Sequence, residues 1–416
     1  MNITILPGKL SGNVNIPSSK SISHRALICA ALANGVSYIR NISISQDILA
    51  TMDTLTELGA EFITDKDVIE VHGISKASEK ADLRCGESGS TLRFIIPVAC
   101  ALGTESTFFG KGRLPERPIN IYTRELSKNG ITFDYNNNTM PFTVKGTLCG
   151  GEFQVEGNVS SQFITGLLLA LPLCKEDSVI KLTSHLESEP YVNITIDCLK
   201  HFGITVEKTE YGYFIKGNQK YTPADFTSEA DFSQAAFFVA ANTLGNDVTI
   251  TNLPNPDLSS QGDKKIIEIA ELMCYNKKAG ISEPVYINVS DIPDLVPAIS
   301  VMASVSSCVT HITNAERLRI KESDRLETTA RMINNLGGNV KITDDGLIIT
   351  PVSHFTGGTV DSFNDHRIAM AASIASTVSD GNVTILNFES IRKSYPDFLN
   401  DFINLGGKTE NGITLE

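Results

Sequence analysis

The sequence predicts an α/β protein of two similar domains, each built from three β-α-β-α-β-β units. A pattern typical of a buried helix recurs six times along the 416 residues, at intervals of roughly 60–75 residues. Each copy is followed by a short β-branched run typical of a strand, and then by a more polar helix that stops at Gly or Asn. Six such units over this length suit two domains of three units each.

The six buried helices are predicted from segments in which small and apolar residues cover nearly the whole helix surface. These segments are HRALICAALANG (24–35), TLRFIIPVACALG (91–103), QFITGLLLALPLC (162–174), QAAFFVAANTLG (234–245), LVPAISVMASVSS (295–307) and RIAMAASIASTVSDG (367–381). Such helices need cover on all sides, so we expect them at the centres of the two domains.

The strands and the more polar helices follow in the same order in every unit. The strand patterns are SYIRNI, STFFGKG, SVIKLTS, DVTITNL, CVTHITN and NVTILNF. The polar helix patterns are ILATMDTLTELG, INIYTRELSKNG, VNITIDCLKHFG, KKIIEIAELMCYN, RLETTARMINNLGG and DFLNDFINLGG. Their terminal Gly or Asn tolerates the positive φ that often ends a helix. One or two further strands are expected next, as in AEFITDKDVIEVHG.

The composition indicates a globular protein and not a disordered one. Apolar residues make up 41% and charged residues 20% of the chain, and the net charge is −13. This charge argues against a general nucleic-acid binder, which needs a basic face to displace counterions. A local basic cleft for a small anion can still exist in an acidic protein.

Cysteine usage and the apolar runs predict a cytoplasmic protein. The eight cysteines are scattered without a CxxC pair, which is typical of reduced core thiols. The first residues, MNITILPGKLSG, lack the pattern of a secretory signal. The longest apolar runs are too short to cross a bilayer, so we expect no membrane association.

Polar clusters at the starts of the buried helices predict an anion site. The first four clusters are SSKSISHR, CGESGSTLR, NVSSQF and EADFSQ, and the last two are SDIPDL and NDHR. The start of a helix carries unpaired N–H donors and a partial positive charge, which favour a bound anion. Ser, Lys, Arg and His side chains at the same place strengthen such an anion-binding site. Each cluster alone is equally compatible with an ordinary cap or a surface cation.

Two further stretches contain clustered charged residues. Several well-known motifs for binding or catalysis, by contrast, are not matched by this sequence. RLPERPI places Arg113 and Arg117 in a loop stiffened by prolines. RLRIKESDRLE could equally form a solvated ladder of salt bridges on a helix. GGKT at 406–409 lacks the spacing of a phosphate-binding loop, no Gly-x-Ser-x-Gly elbow occurs, and the histidines lack the spacing of metal ligands.

The motifs together resemble one family of enzymes, in sequence order and essentially from end to end. They are SSKSISHRAL, GESGSTLRF, RLPERPI, NVSSQF, SEPY, DIPDL, RIKESDRL, NDHRIAM and RKSYPDF. The chain is similar to the 5-enolpyruvylshikimate-3-phosphate synthase family of enolpyruvyl transferases. The resemblance implies an inside-out α/β barrel fold of two domains, in which the N-terminal strand joins the C-terminal half.

The resemblance also implies where the domains meet. Domain 1 would comprise residues 1–14 and 228–416, and domain 2 residues 15–227. Two hinge crossings would lie near 14–19 and 226–231.

The family reaction transfers the enolpyruvyl group of phosphoenolpyruvate to the 5-hydroxyl of shikimate 3-phosphate and releases phosphate. It belongs to the shikimate pathway to chorismate and aromatic amino acids, and it uses no metal or organic cofactor. The resemblance therefore implies two small polyanionic substrates as partners, with no nucleic acid and no membrane. We expect a monomer.

The family pattern assigns two sets of binding residues. Those implied for shikimate 3-phosphate are Lys20, Ser21, Arg25, Ser160, Ser161, Gln162, Ser188, Tyr191, Asp294 and Lys321. Those implied for phosphoenolpyruvate are Lys20, Gly89, Arg93, Arg117, Gln162, Arg325, His366, Arg367 and Lys393. Arginine suits carboxylates and phosphates because its guanidinium donates two parallel hydrogen bonds.

The implied chemistry needs a base for the 5-hydroxyl and an acid for C3 of phosphoenolpyruvate. The family pattern makes Asp294 the base and Glu322 the acid, while Lys20 can also shuttle a proton. Lys321 or His366 can assist. A carboxyl group donates near neutral pH only if its pKa is raised, so bound substrate must supply much of that shift for Glu322.

Three positions depart from the commoner family pattern. Glu87 replaces the usual Asn, Ser90 the usual Thr, and Glu189 a more usual cation. A carboxylate near an anion site needs a cationic partner, so these changes concern affinity and not the reaction. Gly89 is retained, and because a side chain there crowds the herbicide glyphosate in the family, we expect glyphosate sensitivity.

Two other functions compete with this assignment. UDP-N-acetylglucosamine enolpyruvyl transferase shares the fold and the donor but typically carries a reactive cysteine in a mobile loop. The corresponding stretch here, GKGRLPERPI, has arginines and no cysteine. The second alternative is a catalytically silent relative that binds anions, against which the retained Asp294, Glu322 and Lys20 argue.

Overall fold

The computed structural model describes residues 1–136 and 139–410. The chain forms two compact units. Unit 1 consists of Met1–Pro17 and Ala230–Glu416, and unit 2 consists of Ser18–Glu229. The chain therefore passes between the units twice, between Pro17 and Ser18 and between Glu229 and Ala230.

Strands and helices alternate along both units. The strands are β1 (Ile3–Leu6), β2 (Ser11–Val14), β3 (Val36–Arg40), β4 (Glu61–Asp65), β5 (Val68–His72), β6 (Lys80–Arg84), β7 (Glu105–Phe109), β8 (Thr132–Asn136), β9 (Thr139–Lys145), β10 (Gly151–Val155), β11 (Ser178–Leu182), β12 (Glu207–Thr209), β13 (Gly212–Ile215), β14 (Asp225–Thr227), β15 (Asp247–Ile250), β16 (Val285–Asn288), β17 (Thr310–Thr313), β18 (Asn339–Ile342), β19 (Leu347–Thr350), β20 (Gly358–Asp361), β21 (Val383–Leu386) and β22 (Lys408–Thr409). The α-helices are α1 (Lys20–Leu32), α2 (Gln46–Glu57), α3 (Gly89–Leu102), α4 (Asn120–Ser127), α5 (Ser161–Ala170), α6 (Glu189–His201), α7 (Phe232–Thr243), α8 (Ile266–Ala279), α9 (Val296–Ser304), α10 (Arg325–Asn335), α11 (His366–Ala375) and α12 (Phe398–Asn404).

Unit 2 contains three four-stranded sheets with one shared topology. Their strand orders are β14-β3-β5-β4, β6-β7-β9-β8 and β10-β11-β13-β12. In each sheet the first two strands pair in parallel and the other neighbours are antiparallel. The last strand of the unit, β14, pairs with β3 and is therefore the fourth strand of the first sheet. The end of unit 2 thus joins the sheet that contains the unit's first strands.

Unit 1 follows the same plan with one reduced copy. Its four-stranded sheets have the orders β16-β17-β19-β18 and β20-β21-β1-β22. The N-terminal strand β1 lies in the second of these sheets, between β21 and β22. Within the described residues, the remaining sheet consists of the parallel pair β2 and β15 alone, because α8 is followed directly by β16 instead of a hairpin.

The predicted α/β fold class, with repeated β-α units in two domains, is confirmed. The copy that contains α7 and α8 departs from the predicted unit because it lacks the last two strands, and the sheets of the described residues do not form a closed barrel. Each predicted buried segment overlaps one of the helices α1, α3, α5, α7, α9 and α11, whose residues are almost all buried. All six helices end before the last residue of the predicted segment, and the difference is largest for α5, which ends at Ala170 and not at 174, and for α11, which ends at Ala375 and not at 381. After α5 and α11 the chain tightens into short 3₁₀ turns at Leu171–Leu173 and Ser376–Val378. The first of these turns contains Pro172, whose missing N–H cannot continue an α-helix.

Each unit has its own hydrophobic core around its three buried helices. In unit 2, α3 packs on α5 and α1 packs on α6; in unit 1, α9 and α11 pack on α7. The polar first turns of these helices lie at the ends of the apolar helices that form the two cores, and many of their polar side chains are themselves buried. Among the described residues, no helix is both long and apolar enough to span a membrane.

Candidate active site

Serine side chains cap two of the buried helices of unit 2. Ser88 caps α3 by accepting a hydrogen bond from Thr91 N, and Ser160 caps α5 by accepting one from Gln162 N. Each Ser hydroxyl uses its oxygen as acceptor and keeps its own proton as a donor. Ser160 is therefore an N-cap whose hydroxyl can still donate a hydrogen bond to an anion, and Ser161 follows it as the first residue of α5.

Arg25 is a buried cation at the start of α1. Its guanidinium donates to Thr195 Oγ1 at 2.7 Å, to Ser21 O at 2.6 Å and to Tyr191 O at 3.0 Å. It also lies over the Phe94 ring at 5.0 Å. Burial, which disfavours the charged form, lowers the pKa of Arg25 to about 10, so the group stays charged at neutral pH. The predicted residues Ser21, Arg25 and Tyr191 are thus brought together.

Lys20 is held by a carboxylate that the sequence motifs did not indicate. Its Nζ lies 2.7 Å from Oδ2 of Asp47, in the first turn of α2, and both side chains are largely buried. A buried pair of this kind fixes the position of the ammonium group. The sequence shows no signal for this pairing, because the two residues are far apart along the chain.

Arg93 and Gln162 form a second linked pair in unit 2. Arg93 donates to Gln162 Oε1 at 2.7 Å and lies over the Phe163 ring at 4.9 Å. The Gln162 amide in turn donates to Ser90 Oγ at 3.0 Å. The starts of α3 and α5 are therefore joined through predicted site residues, and the unusual Ser90 is part of that link.

Gly89 lies directly against the guanidinium of Arg117. A Cβ atom at Gly89 would come within 2.3 Å of Arg117 Nη1 and 2.5 Å of its Cζ. Only a residue without a side chain fits there unless Arg117 moves. The two predicted phosphoenolpyruvate residues are therefore in contact, and the position of Arg117 explains why a glycine is needed at position 89.

Ser188 starts α6 in a left-handed conformation, with φ of 57°. It is almost fully buried, and Pro190 stands in the first turn after it. The unusual Glu189 between them is paired with Lys208 Nζ on β12 at 2.5 Å. The cation that the family places here is thus replaced by an ion pair on the surface of the unit.

The other unusual carboxylate, Glu87, packs against the loop that carries Arg117. A Cβ atom at Gly112 would lie 2.5 Å from Glu87 Oε2. Gly112 has φ of +55°, so a side chain is excluded both by strain and by the carboxylate.

In unit 1, Asp294 is the centre of a cluster of cations. Arg325 Nη1 lies 2.9 Å and Arg367 Nη2 2.8 Å from its two carboxylate oxygens, and Lys321 Nζ lies 3.9 Å away. Burial opposes ionisation, but Arg367, Lys321 and Arg325 overcome this and hold the pKa of Asp294 well below its ordinary value. Asp294 is therefore ionised at neutral pH and can accept a proton.

Arg325 joins three carboxylates on one guanidinium. It donates to Asp294 at 2.9 Å, to Glu322 Oε2 at 2.5 Å and to Asp365 Oδ2 at 3.0 Å, and its side chain is 1% exposed. The predicted base and the predicted acid are thus bonded to the same arginine. Arg325 was predicted as a phosphoenolpyruvate ligand, yet its hydrogen bonds here all go to these carboxylates.

Asp365 is a second site residue that the sequence prediction missed. It is fully buried, caps α11 by accepting from Arg367 N at 3.0 Å, and also accepts from Ser323 Oγ at 3.0 Å. One carboxylate therefore sets both the start of α11 and the orientation of Arg325. An Asp directly before a buried helix is a recognisable N-cap signal, so this residue could have been found.

The remaining predicted residues of unit 1 surround this cluster. Lys321 keeps about a quarter of its side chain exposed, and partial burial lowers its pKa to about 8 against the opposing effect of Asp294 and Glu322. His366 begins α11 and is almost fully buried. Lys393 Nζ donates to Asn364 O at 2.6 Å, next to Asp365 in sequence.

No group of three or more His, Cys, Asp or Glu side chains in residues 1–136 and 139–410 has the arrangement of a metal site. The groups gathered at the helix starts are instead arginines, lysines, serines and carboxylates. Arginines, lysines and serines are side chains that bind phosphorylated anions, and carboxylates can transfer protons, so this combination is typical of enzymes that act on phosphorylated anions.

The chain belongs to the EPSP synthase (3-phosphoshikimate 1-carboxyvinyltransferase) family, whose sequence model matches residues 6–402. The 3-phosphoshikimate 1-carboxyvinyltransferase of Clostridium novyi (strain NT) is 46% identical, over 98% of each chain. That of Clostridium perfringens (strain ATCC 13124) is 44% identical, over 97% of this chain and 98% of the relative.

Solved structures agree in fold. The EPSP synthase of Acinetobacter baumannii superposes with a TM-score of 0.79 at 24% identity, covering 99% of this chain and 100% of that one. At this identity the structural likeness supports the fold alone, while the family follows from the sequence matches.

Proposed function

We propose that this chain transfers the enolpyruvyl group of phosphoenolpyruvate to the 5-hydroxyl of shikimate 3-phosphate. The observation that carries the proposal is the Asp294–Arg325–Glu322 arrangement, in which a base and an acid are held by one buried guanidinium. Family membership supplies the reaction class. UDP-N-acetylglucosamine is not favoured as the acceptor.

The proposed chemistry is an addition followed by an elimination. Asp294 takes the proton of the 5-hydroxyl as its oxygen bonds to C2 of phosphoenolpyruvate, while Glu322 gives a proton to C3. The adduct then loses phosphate from C2 and a proton from C3, which restores the double bond. The anionic substrates compete for Arg367 and Lys321, so their binding weakens the hold of these cations on Asp294 and makes it a stronger base.

The binding roles remain those predicted from the sequence. Shikimate 3-phosphate would be bound in unit 2 by the starts of α1, α5 and α6, where Arg25, Ser160 and Ser188 lie. The residues proposed for phosphoenolpyruvate include, in unit 2, the two linked pairs Gly89–Arg117 and Arg93–Gln162. Those proposed in unit 1 are Arg325, His366, Arg367 and Lys393. We further propose a cytoplasmic monomer that is sensitive to glyphosate, since Gly89 is retained.

A phosphate-release assay tests the reaction. Phosphate should appear only when phosphoenolpyruvate and shikimate 3-phosphate are both present. Release with UDP-N-acetylglucosamine as acceptor would assign the chain to the competing enzyme, and no release with either acceptor would indicate the silent relative.

The base assignment is tested with Asp294→Asn. This change should lower kcat by about 10²–10⁴-fold, the range typical of a lost general base, while the Kd for shikimate 3-phosphate stays within about threefold. Asp291→Asn is the matched control, because this exposed residue lies three positions earlier on the same segment. A kcat for Asp294→Asn within a few-fold of the parent would reject Asp294 as the base.

A further inference from the structure

Four buried polar side chains of unit 2 link α1, α2 and α3, and the proposed reaction does not use them. His24 Nδ1 lies 2.7 Å from Thr51 Oγ1, and Thr51 Oγ1 lies 2.7 Å from Thr91 Oγ1. The Thr91 hydroxyl in turn donates to Ser88 Oγ at 2.8 Å. These four residues, which we call the His24–Ser88 network, are at most 1% exposed, so their hydrogen bonds are shielded from solvent.

The hydrogen bonds of the His24–Ser88 network run in one direction. A threonine hydroxyl has a single proton to donate. Thr91 gives this proton to Ser88, so Thr91 must accept from Thr51, and Thr51 must accept from His24. His24 therefore carries its proton on Nδ1.

The surroundings of His24 agree with this tautomer. The ring is neutral, because burial and the charges of Lys20 and Arg25 lower the pKa of His24 well below its ordinary value. Its Nε2 atom is buried and has no hydrogen-bond partner within residues 1–136 and 139–410. Beside two cations, a bare nitrogen lone pair is more favourable than an N–H group.

The His24–Ser88 network ends at the residue that caps α3. Ser88 Oγ accepts from the backbone N–H of Thr91 at 3.1 Å and also from the Thr91 hydroxyl. Both lone pairs of Ser88 are then used, and its own proton is kept for donation at the positive end of the helix. The next residue is Gly89, which lies against the guanidinium of Arg117. The network thus ends one residue before the Gly89–Arg117 pair that was predicted to bind phosphoenolpyruvate.

Thr91 also connects the network to Lys20. The Thr91 hydroxyl lies 3.4 Å from the backbone O of Asp47, and the carboxylate of Asp47 holds Lys20 Nζ at 2.7 Å. One side chain thus contacts both the cap of α3 and the residue that positions Lys20.

We propose that His24, Thr51 and Thr91 are positioning residues for phosphoenolpyruvate: the proton on His24 Nδ1 fixes the direction of the network, which keeps the start of α3, with Gly89, in the arrangement that binds the anion. The proposal rests on the function proposed above. None of the three residues belongs to the sets that the family pattern assigns.

The variant Thr51→Val removes the central hydroxyl and nearly keeps the shape of the side chain. The KM for phosphoenolpyruvate should rise about tenfold, the effect of losing one hydrogen bond that supports a charged ligand, with kcat within about threefold of the parent. Thr51→Ser restores the hydroxyl, so its KM should return to within about twofold of the parent. A parent-like KM for Thr51→Val, or no recovery in Thr51→Ser, would overturn the proposal.

Binding of shikimate 3-phosphate separates positioning from a general loss of structure. Arg25, Ser160 and Ser188 lie outside the network, so calorimetry should give the same Kd for shikimate 3-phosphate in Thr51→Val as in the parent. A Kd that rises as much as the KM for phosphoenolpyruvate would mean that Thr51 only supports the fold of unit 2, and the proposal would be wrong.

Thr54→Val is the matched control on the same helix. Thr54 is also fully buried, but its hydroxyl donates to Thr51 O at 2.9 Å, a backbone atom of α2. Its KM for phosphoenolpyruvate should stay within about twofold of the parent. A tenfold rise in this variant would show that the loss of any buried hydroxyl of α2 has the same effect, which would contradict a specific role of Thr51.

Thr91→Val is an independent variant in case Thr51→Val does not fold. It interrupts the network next to Ser88, so its KM should rise at least as much as that of Thr51→Val. If both residues act through one network, the double variant should have the KM of Thr91→Val alone. Effects that multiply would contradict a shared network.

A further readout needs no turnover. Nitrogen-15 NMR of protein labelled at its seven histidines distinguishes a protonated ring nitrogen from a bare one, and His24→Asn identifies the His24 signals. At pH 7 His24 should be neutral with its proton on Nδ1. A proton on Nε2 would reject the network, even if the enzyme transfers enolpyruvyl groups as proposed. The expected tautomer in a protein without transferase activity would instead refute the proposed function.

Discussion

At the scale of single residues, Arg325 shows how one buried cation can hold several carboxylates of the proposed catalytic site in place. Burial opposes its charge, but Asp365, Glu322 and Asp294 raise the pKa of Arg325 above its ordinary value, so it is permanently charged. Three carboxylates around one guanidinium would repel one another without it. Arg325 therefore both fixes the geometry and neutralises part of the acidic cluster.

Replacing Arg325 should destabilise unit 1. In Arg325→Met the buried carboxylates lose their shared partner, and the free energy of unfolding should fall by about 3–5 kcal/mol. Urea unfolding followed by fluorescence or circular dichroism measures this. Arg331→Met is the control on the same helix, since the Arg331–Glu327 pair is largely exposed and should contribute less than about 1 kcal/mol. Equal losses in both variants would show that Arg325 has no special structural role.

At the scale of elements, the starts of the buried helices combine two tasks. Each must satisfy its own first N–H groups, and the same donors and dipole favour a bound anion. At α5 both tasks fall on Ser160, which caps the helix and was predicted to bind the phosphate of shikimate 3-phosphate.

The variant Ser160→Asp distinguishes the capping role of this residue from its proposed role in phosphate binding. Aspartate caps a helix as well as serine does, so the Tm should be unchanged or slightly higher than in the parent. Its negative charge should repel the substrate phosphate and weaken binding of shikimate 3-phosphate by at least about 100-fold, as measured by calorimetry.

Ser160→Ala is the reciprocal control. It loses the cap at a cost of about 1 kcal/mol but introduces no charge, so its binding defect should be much smaller. If Ser160→Asp binds shikimate 3-phosphate like the parent, Ser160 does not contact the phosphate.

At the scale of the whole molecule, the repeat explains how an acidic chain can bind acidic substrates. The net charge is −13, yet the cations Arg25, Arg93, Arg325 and Arg367 are buried near the starts of internal helices. The electrostatic potential at a binding site depends mainly on the charges nearby, which are screened little where water is excluded. Distant charges on the protein surface contribute less, because salt screens them.

The sequence by itself determined the fold class, the six buried helices and the family. These follow from local signals, namely the period of apolar residues, the stop signals of helices and short motifs such as RIKESDRL and NDHRIAM. It also indicated most of the residues gathered at the helix starts, because capping residues and cations lie next to the helices they serve.

The tertiary structure alone decided which charges meet. Lys20 pairs with Asp47, and Arg325 joins Asp294 to Asp365, although these partners lie 27 to 40 positions apart. The period of the apolar residues shows which face of a helix or strand is buried. It does not show which charged residues pair, because that depends on how several elements pack together. The reduced β2–β15 sheet was missed for a similar reason, because strand pairing links distant segments that no local pattern connects.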